Sequence, residues 1–288
     1  MILSTIFSII VIVLVLIAML LAGKKYEGYI EEYKADFQLL FMAPASLYII
    51  DKLQLLKRLS GQLVVLQQRI AMLYSGKNIP QYTKMFMAQI ISVILVSLLG
   101  GSIFYFLAGK DALLLILALI LAAFIPALSI KNIDKKVNKR KQDIIYELPE
   151  FANKVALLVN AGETIQEAMI HCTTMKGEDK NPLYIELNEA ISKIKNGESF
   201  HFVMEEFSKR CGVQEVSIFT TTILLNYRRG GGELALSLRE LSGDLWEKRK
   251  AISKIRGEEA SSKLIFPMIL MFMAILLIMA FPALKLLG

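Results

Sequence analysis

Val159-Asn160-Ala161-Gly162-Glu163-Thr164-Ile165 and Ile194-Lys195-Asn196-Gly197-Glu198-Ser199-Phe200 follow one pattern and lie 35 residues apart. A shorter copy, Gly232-Glu233-Leu234, comes after another 35 residues. Met169 and Met204 keep the same offset. A glycine at such a point suits the end of a helix, where the chain needs a left-handed residue without the penalty of a Cβ. Thr164 and Ser199, two residues on, suit the N-cap of the next helix, and Thr164 with Glu167 has the spacing of a capping box. Gly162, Gly197 and Gly232 are therefore expected turns. The stretch from Pro149 to Ser262 reads as a run of helices that reverse at regular points.

Apolar periodicity fills in those helices. The spacing predicts helices over 149–161, with Pro149 in the opening turn, and over 165–176, 182–195, 200–210 and 216–227. Ile165, Ala168, Met169 and Cys172 share a face of the second, and Leu183, Leu187, Ala190, Ile191 and Ile194 a face of the third. Val203, Met204, Phe207 and Cys211 align on the fourth. None of these stretches alternates as a strand would. A sixth helix follows Gly230-Gly231-Gly232 and runs from Glu233 towards Ser262. Leu234, Leu238, Leu241, Leu245, Lys248, Ile252 and Ile255 form a heptad seam, with Lys248 in one core position. Such a seam serves inside a bundle or between subunits.

Around this block the chain is largely apolar. Hydrophobic residues make up 55% of the 288, and the mean hydropathy is +0.51, which excludes an ordinary soluble domain. Residues 2–22, 86–108, 112–130 and 265–284 have the length and composition of membrane spans. The second and third are joined by Gly109-Lys110-Asp111 and read as a hairpin. Ala88/Ser92 and Ser97/Gly101 permit close helix packing in lipid, or are ordinary small residues of a span. The segment 23–85 is amphipathic, with Leu53, Leu56, Leu63, Leu66, Ile70 and Leu73 at helical spacing. It is too short for a second large core and is expected to pack on the main block.

Charge sets the expected topology. Lys24 and Lys25 follow the first apolar run. Lys131, Lys135, Lys136, Lys139, Arg140 and Lys141 follow the third. Basic residues accumulate on the cytoplasmic side, so 23–85 and 131–263 are expected in the cytoplasm and both termini outside. No Lys or Arg precedes the first run, which fits an uncleaved anchor. The formal charge of +7 has the same origin. No basic stretch is interleaved with stacking aromatics, so nucleic acid is not an expected partner. The cluster after the third span reads as a headgroup-facing stretch, with membrane lipids as its partner.

Little in the chain points to catalysis. The glycine triplet lacks the GxxxxGK followed by Ser or Thr of a phosphate loop. No GxSxG elbow, metal-ligand set or paired acid motif stands out. His171 and His201 stand outside any HExxH pattern. Cys172 and Cys211 lie on apolar faces and read as small core residues. The spans carry charge only at their ends, which argues against a solute transporter. No cofactor is expected.

Several features together resemble the type II secretion F-domain family, the inner-membrane platform proteins of type II secretion systems and type IV pili. They are Leu148-Pro149, Ala161-Gly162 with Ile165 and Ala168, Gly197, and Gly231-Gly232-x-Leu234 with Leu238 and Leu241. The run Gly257-Glu258-Glu259-Ala260-Ser261-Ser262-Lys263-Leu264, then Phe266-Pro267-Met268, is similar to the tight-adherence (Flp) pilus platform proteins of the TadC-like branch. The resemblance covers 112–288 well and the first 111 residues in layout only. It implies an all-α membrane protein of about four transmembrane helices with a cytoplasmic six-helix F-domain bundle. The domain division it suggests is an anchor at 1–22, amphipathic helices at 23–85, a transmembrane hairpin at 86–130, the F domain at 131–263 and a final span at 264–288. It further implies a bacterial inner-membrane location, no enzymatic activity and no catalytic residue.

The partners implied are a cytoplasmic secretion ATPase, a sister platform protein or a second copy of the chain, and pilin subunits. One F domain instead of two makes pairing with a sister protein plausible. Arg228, Arg229, Glu247, Arg249 and Arg256 are the expected partner contacts, since mixed charge steers association. A membrane-tethered helical-repeat adaptor is the alternative, because 35 residues is close to a tetratricopeptide period. The Trp, Gly, Tyr and Pro pattern of those repeats is missing.

The topology is directly testable. Reporter fusions at Gly61 and Lys180 should report cytoplasm, and one at Gly109 the outside. An outside signal from Lys180 would overturn the orientation.

Overall fold

The computed structural model describes residues 2–22, 26–33, 40–58, 60–74, 78–107, 112–177, 180–227 and 231–287. Lys24, Lys25, Gly76, the connection at 108–111, and Arg228, Arg229 and Gly230 lie outside them. Every regular element among the described residues is helical. The chain divides into two compact units, Met1–Lys139 and Arg140–Gly288, and the boundary falls inside one helix.

The first unit contains α1 (Ile2–Ala22), α2 (Glu27–Tyr33), α3 (Ala43–Lys52, preceded by the 3₁₀ turn Leu40–Met42), α4 (Leu55–Arg58), α5 (Ser60–Leu73), α6 (Ile79–Leu107) and the first part of α7 (Ala112–Asn160). α1, α3 and α6 pack together. Val15 and Ala18 of α1 meet Ala45 and Leu95 at one level, while Ala22 meets Leu47, Ile50 and Ala88 at another. α1 and α6 therefore run antiparallel. Small residues let the three helices approach: Ala88 and Ser92 of α6 are buried, and the Ser92 hydroxyl donates to the Ser46 hydroxyl of α3 at 3.0 Å. In the segment expected over 23–85, Tyr33 and Ile70 are buried with Phe86 of α6 and with Ile133 and Val137 of α7, and Leu63 with Met87 and Ala88 of α6, inside the first unit.

The second unit joins the end of α7 to α8 (Ile165–Lys176), α9 (Pro182–Lys195), α10 (Phe200–Cys211), α11 (Gln214–Asn226) and α12 (Gly231–Leu287). Its core is continuous from Ile144 to Leu245 and includes every face residue of α8 and α10 named from the sequence. Phe151 is at its centre, edge-on to Tyr184 at 6.2 Å and to Phe219 at 5.9 Å. Cys172 and Cys211 are free thiols in that core. Burial in apolar surroundings raises the Cys172 pKa to about 11 and the Cys211 pKa further still.

The turns have a common geometry. Gly162 and Gly197 stand at φ of +103° and +89°. At the first, the Gly162 N–H donates to Val159 O and the Glu163 N–H to Leu158 O. At the second, the Gly197 N–H donates to Ile194 O and the Glu198 N–H to Lys193 O, all at 3.0–3.1 Å. Both are Schellman ends, and the 35-residue echo is that motif written twice. Thr164 then caps α8 with the full capping box to Glu167, whose carboxyl these bonds hold below the usual range. Ser199 caps α10 by position only, without a side-chain bond.

Two expectations are corrected here. Gly232 is not a helix end: it lies in the first turn of α12 with no positive φ, so the third copy of the pattern repeats the letters and not the turn. The pattern there opens a helix, and a left-handed glycine has no carbonyls to close off. Pro149 does not open a helix either. α7 runs unbroken for 49 residues, and Pro149 is buried within it. An interior proline costs a helix about 3 kcal/mol. Burial of Leu148 and Phe151 on either side returns about 1.5–3 kcal/mol each, enough to hold the helix straight through. Likewise α12 runs for 57 residues through Pro267, joining the expected sixth helix to the expected last span.

Adding a Cβ at Gly162 or Gly197 meets no atom within 4 Å, so substitution there strains the backbone alone. Gly162→Val and Gly197→Val should each lower stability by on the order of 1–2 kcal/mol in chemical denaturation, whereas Gly243→Ala, inside a helix, should raise it by about 0.5–1 kcal/mol. Unchanged midpoints for both valine variants would contradict the turn assignment.

Candidate functional site

The second unit is closed by a buried carboxylate. Glu186 projects from α9 with its side chain 2% exposed. Arg140 of α7 donates to one of its oxygens at 2.6 Å, and Arg210 of α10 donates to the other at 2.7 Å. Arg140 also reaches the carbonyl of Cys211 at 3.4 Å. Arg210 continues to Glu189 through two further N–H bonds, and Lys193 holds both oxygens of Glu206 at 2.6 Å. Three cations and three anions thus balance along the α9–α10 face. The planar guanidinium suits this use, since it serves two carboxylates from one group. Buried charge of this kind is tolerated only when both signs and the remaining lone pairs are satisfied.

α7 and α12 form an antiparallel pair that carries the expected contact residues. The Ser242 hydroxyl donates to Pro149 O at 3.0 Å, and Arg256 donates to Asp143 at 2.6 Å. Between them the Arg249 guanidinium lies 4.0 Å from the Tyr146 ring centre and 4.7 Å from that of Trp246. It lowers the pKa of the Tyr146 hydroxyl by hydrogen bonding and by its charge. Arg249, with a side chain 17% exposed, is therefore a strut between two helices and not a free surface contact, its planar cation attracted to the two ring faces. Arg256 is engaged in the same way and remains partly exposed. Glu247 is exposed. Arg228 and Arg229 lie outside the described residues.

The heptad seam turns inward. Leu234, Leu238, Leu245 and Ile252 are buried, which supports the intramolecular alternative over this stretch. Lys248 leaves the seam and donates to Glu215 at 2.6 Å, half exposed. Where α7 and α12 part, a groove of about 240 Å³ opens between Asn153 and Asn160 on one side and Gly232 and Arg239 on the other. Leu157 and Leu236 line it and are exposed.

Residues 151–282 match the model of the family described as Type II secretion system (T2SS), protein F. No curated protein and no solved structure matched the chain. The match supports an F domain in this segment. It begins at Phe151, the centre of the core, and ends at Pro282, inside the apolar part of α12. Among the described residues the matched segment is helical, and it includes the apolar part of α12. Among the described residues, Ile79–Leu107 and Gly232–Ala280 are long and apolar enough to cross a membrane, and the latter belongs to the matched segment.

Sequence reasoning missed the Glu186 clamp of the second unit. The signal was present: Glu186 sits between Leu183 and Ala190 on the buried stripe of α9, where a carboxylate needs a cation. Arg140 was expected in a solvated, headgroup-facing cluster; it is 11% exposed and turned into the unit, while Lys131, Lys135, Lys136 and Lys139 are exposed. Gly212, at φ +60°, ends α10 and was not singled out.

Glu186→Gln leaves two guanidiniums facing a neutral amide. It should destabilise the second unit by about 3 kcal/mol or more, as breaking a buried pair does. Glu205→Gln, on the exposed side of α10, should shift a thermal melt by under about 1 kcal/mol. Equal shifts for both variants would remove the clamp from the stability of the fold.

Proposed function

We propose that this chain is an inner-membrane platform protein of a type II secretion or type IV pilus assembly machine, of the tight-adherence (Flp) kind. In this reading it couples a cytoplasmic ATPase to extraction of pilins from the membrane and their assembly into a filament. The observation that carries the proposal is the F-domain match at 151–282, lying on a folded helical unit that runs directly into an apolar helix. Four spans, at 2–22, 86–108, 112–130 and 265–284, place both termini outside and the six helices of the F domain in the cytoplasm. The apolar length of Ile79–Leu107 and Gly232–Ala280 supports two of them. The protein hydrolyses no nucleotide itself and pairs with a sister platform protein or with a second copy.

The helical-repeat adaptor is less well supported, since the third glycine copy does not turn the chain. The ATPase contact is assigned to the basic pair Arg228 and Arg229 and to exposed Glu247. Arg249 and Arg256 hold the helix that presents Glu247. Charges of this sort set association rate and partner choice more than affinity.

Co-purification with a cytoplasmic secretion ATPase provides the test. Reversing Arg228 and Arg229 to Glu together should weaken ATPase recovery and abolish filament assembly, with insertion and melting unchanged. Equal recovery by both forms would remove the arginine pair from the contact. Recovery by neither would overturn the platform assignment.

A further inference from the structure

The first unit carries a depth marker. Tyr29, Tyr33, Tyr74 and Tyr82 pack ring to ring where α6 begins, with centroids 4.5–5.1 Å apart along the chain of contacts. Lys84 lies 5.9 Å over Tyr26 and 5.8 Å over Tyr29, and 2.7 Å from one oxygen of Asp51. The Tyr26 hydroxyl donates to the other at 2.8 Å. Tyrosines and a lysine gathered at one end of an apolar helix pair have the composition of a membrane–water boundary.

α3 starts away from that collar and ends in it. Its last turn holds Asp51. Its first turn and the 3₁₀ turn before it pack on Val15, Ala18 and Leu95, at the far side of the collar from the cytoplasm. Leu95 is eleven residues beyond Lys84, about 16 Å along α6 at 1.5 Å per residue. The apolar layer is about 30 Å thick, so the tip of this segment stands near mid-depth. Residues 40–50 contain no charge, and Phe41 at the tip is 74% exposed. α3 has ten residues, too few to cross. Its backbone is covered by α1 and α6, which is the condition for non-spanning chain at that depth: Ala43, Ala45, Ser46, Leu47 and Ile50 are all buried. A cytoplasmic placement of α3 would draw the neighbouring turns of α1, with exposed Leu14, Leu16 and Ile17, into water.

We propose that residues 40–52 form a re-entrant segment that dips from the cytoplasmic face into the acyl-chain region beside α1 and α6, with Phe41 against lipid. The proposal rests on α1 and α6 being spans. Depth-resolved quenching in the full-length protein tests it. In a Trp246→Phe background, single tryptophans are placed by Phe41→Trp, Leu53→Trp and, as a control on α6 at the level of Leu95, Val96→Trp. Each is reconstituted with phospholipid brominated near the chain middle or near the headgroup. Phe41→Trp should lose more emission to the deep label than to the shallow one, as Val96→Trp should, and Leu53→Trp should show neither large loss nor deep preference. Quenching at 96 but none at 41, or shallow quenching equal at 41 and 53, would overturn the re-entrant segment while leaving the spans. No quenching at 96 would remove the spans and the segment with them. Membrane-impermeant maleimide gives a second readout: Leu53→Cys should label from the cytoplasmic side and Phe41→Cys from neither. Labelling of Phe41→Cys at the same rate as Leu53→Cys would also overturn it. Cys172 and Cys211, buried and with raised pKa values, stay silent in the folded protein.

Discussion

A carboxylate with 2% of its side chain exposed must find positive charge, and Glu186 finds it on two other helices. That requirement ties α9 to α7 through Arg140 and to α10 through Arg210. The hydrophobic core can be satisfied by several packings of amphipathic helices, because apolar contact has no direction. The clamp has direction: each guanidinium must present its N–H fork to one particular oxygen. It therefore fixes the rotation of α9 about its own axis, and with it which residues of α10 and α11 face the core. Arg140 is the first residue of the second unit, so the clamp also fixes where α7 enters it.

The second constraint is the pairing of α7 with α12. From Asp143 with Arg256 to Asn160 beside Gly232, the two helices run antiparallel for more than four turns. Arg249 between Tyr146 and Trp246 spaces them at one end, and the Ser242 bond to Pro149 fixes their register near the middle. The proline's missing N–H is confined to one turn of a helix that the burial of Leu148 and Phe151 holds in place.

Much of the second unit was legible because its signals are local. The bounds of α8 and α9 are marked by caps and apolar stripes within a dozen residues, and the Schellman glycines sit at the ends of those stripes. The features that escaped depend on distant partners. Glu186 pairs with residues 46 and 24 positions away, and Arg140 looks like one more basic residue until Glu186 is beside it. Pro149 was misread because a proline marks a helix start only when nothing else holds the helix through it, and here the burial of Leu148 and Phe151 does; Gly232 was misread because its copy of the pattern opens a helix instead of closing one. The placement of α3 escaped for a related reason. The eleven uncharged residues 40–50 are ambiguous until packing puts one end beside Val15 and Leu95 and the following Asp51 beside Lys84.

Because α12 is one helix, the bundle and the apolar segment form a single lever. From Arg256, the last anchored residue, to Ala280 is 24 residues, or about 36 Å of rod at 1.5 Å per residue. With no loop between, a tilt of about 5° at the anchored end moves the far end sideways by about 3 Å, roughly two residue steps along a helix. A hinge would absorb such a movement; an unbroken ladder of i→i−4 hydrogen bonds delivers it. Whatever displaces the anchored end of α12 is thus felt at the far end of its apolar segment with no change in the helix's own conformation.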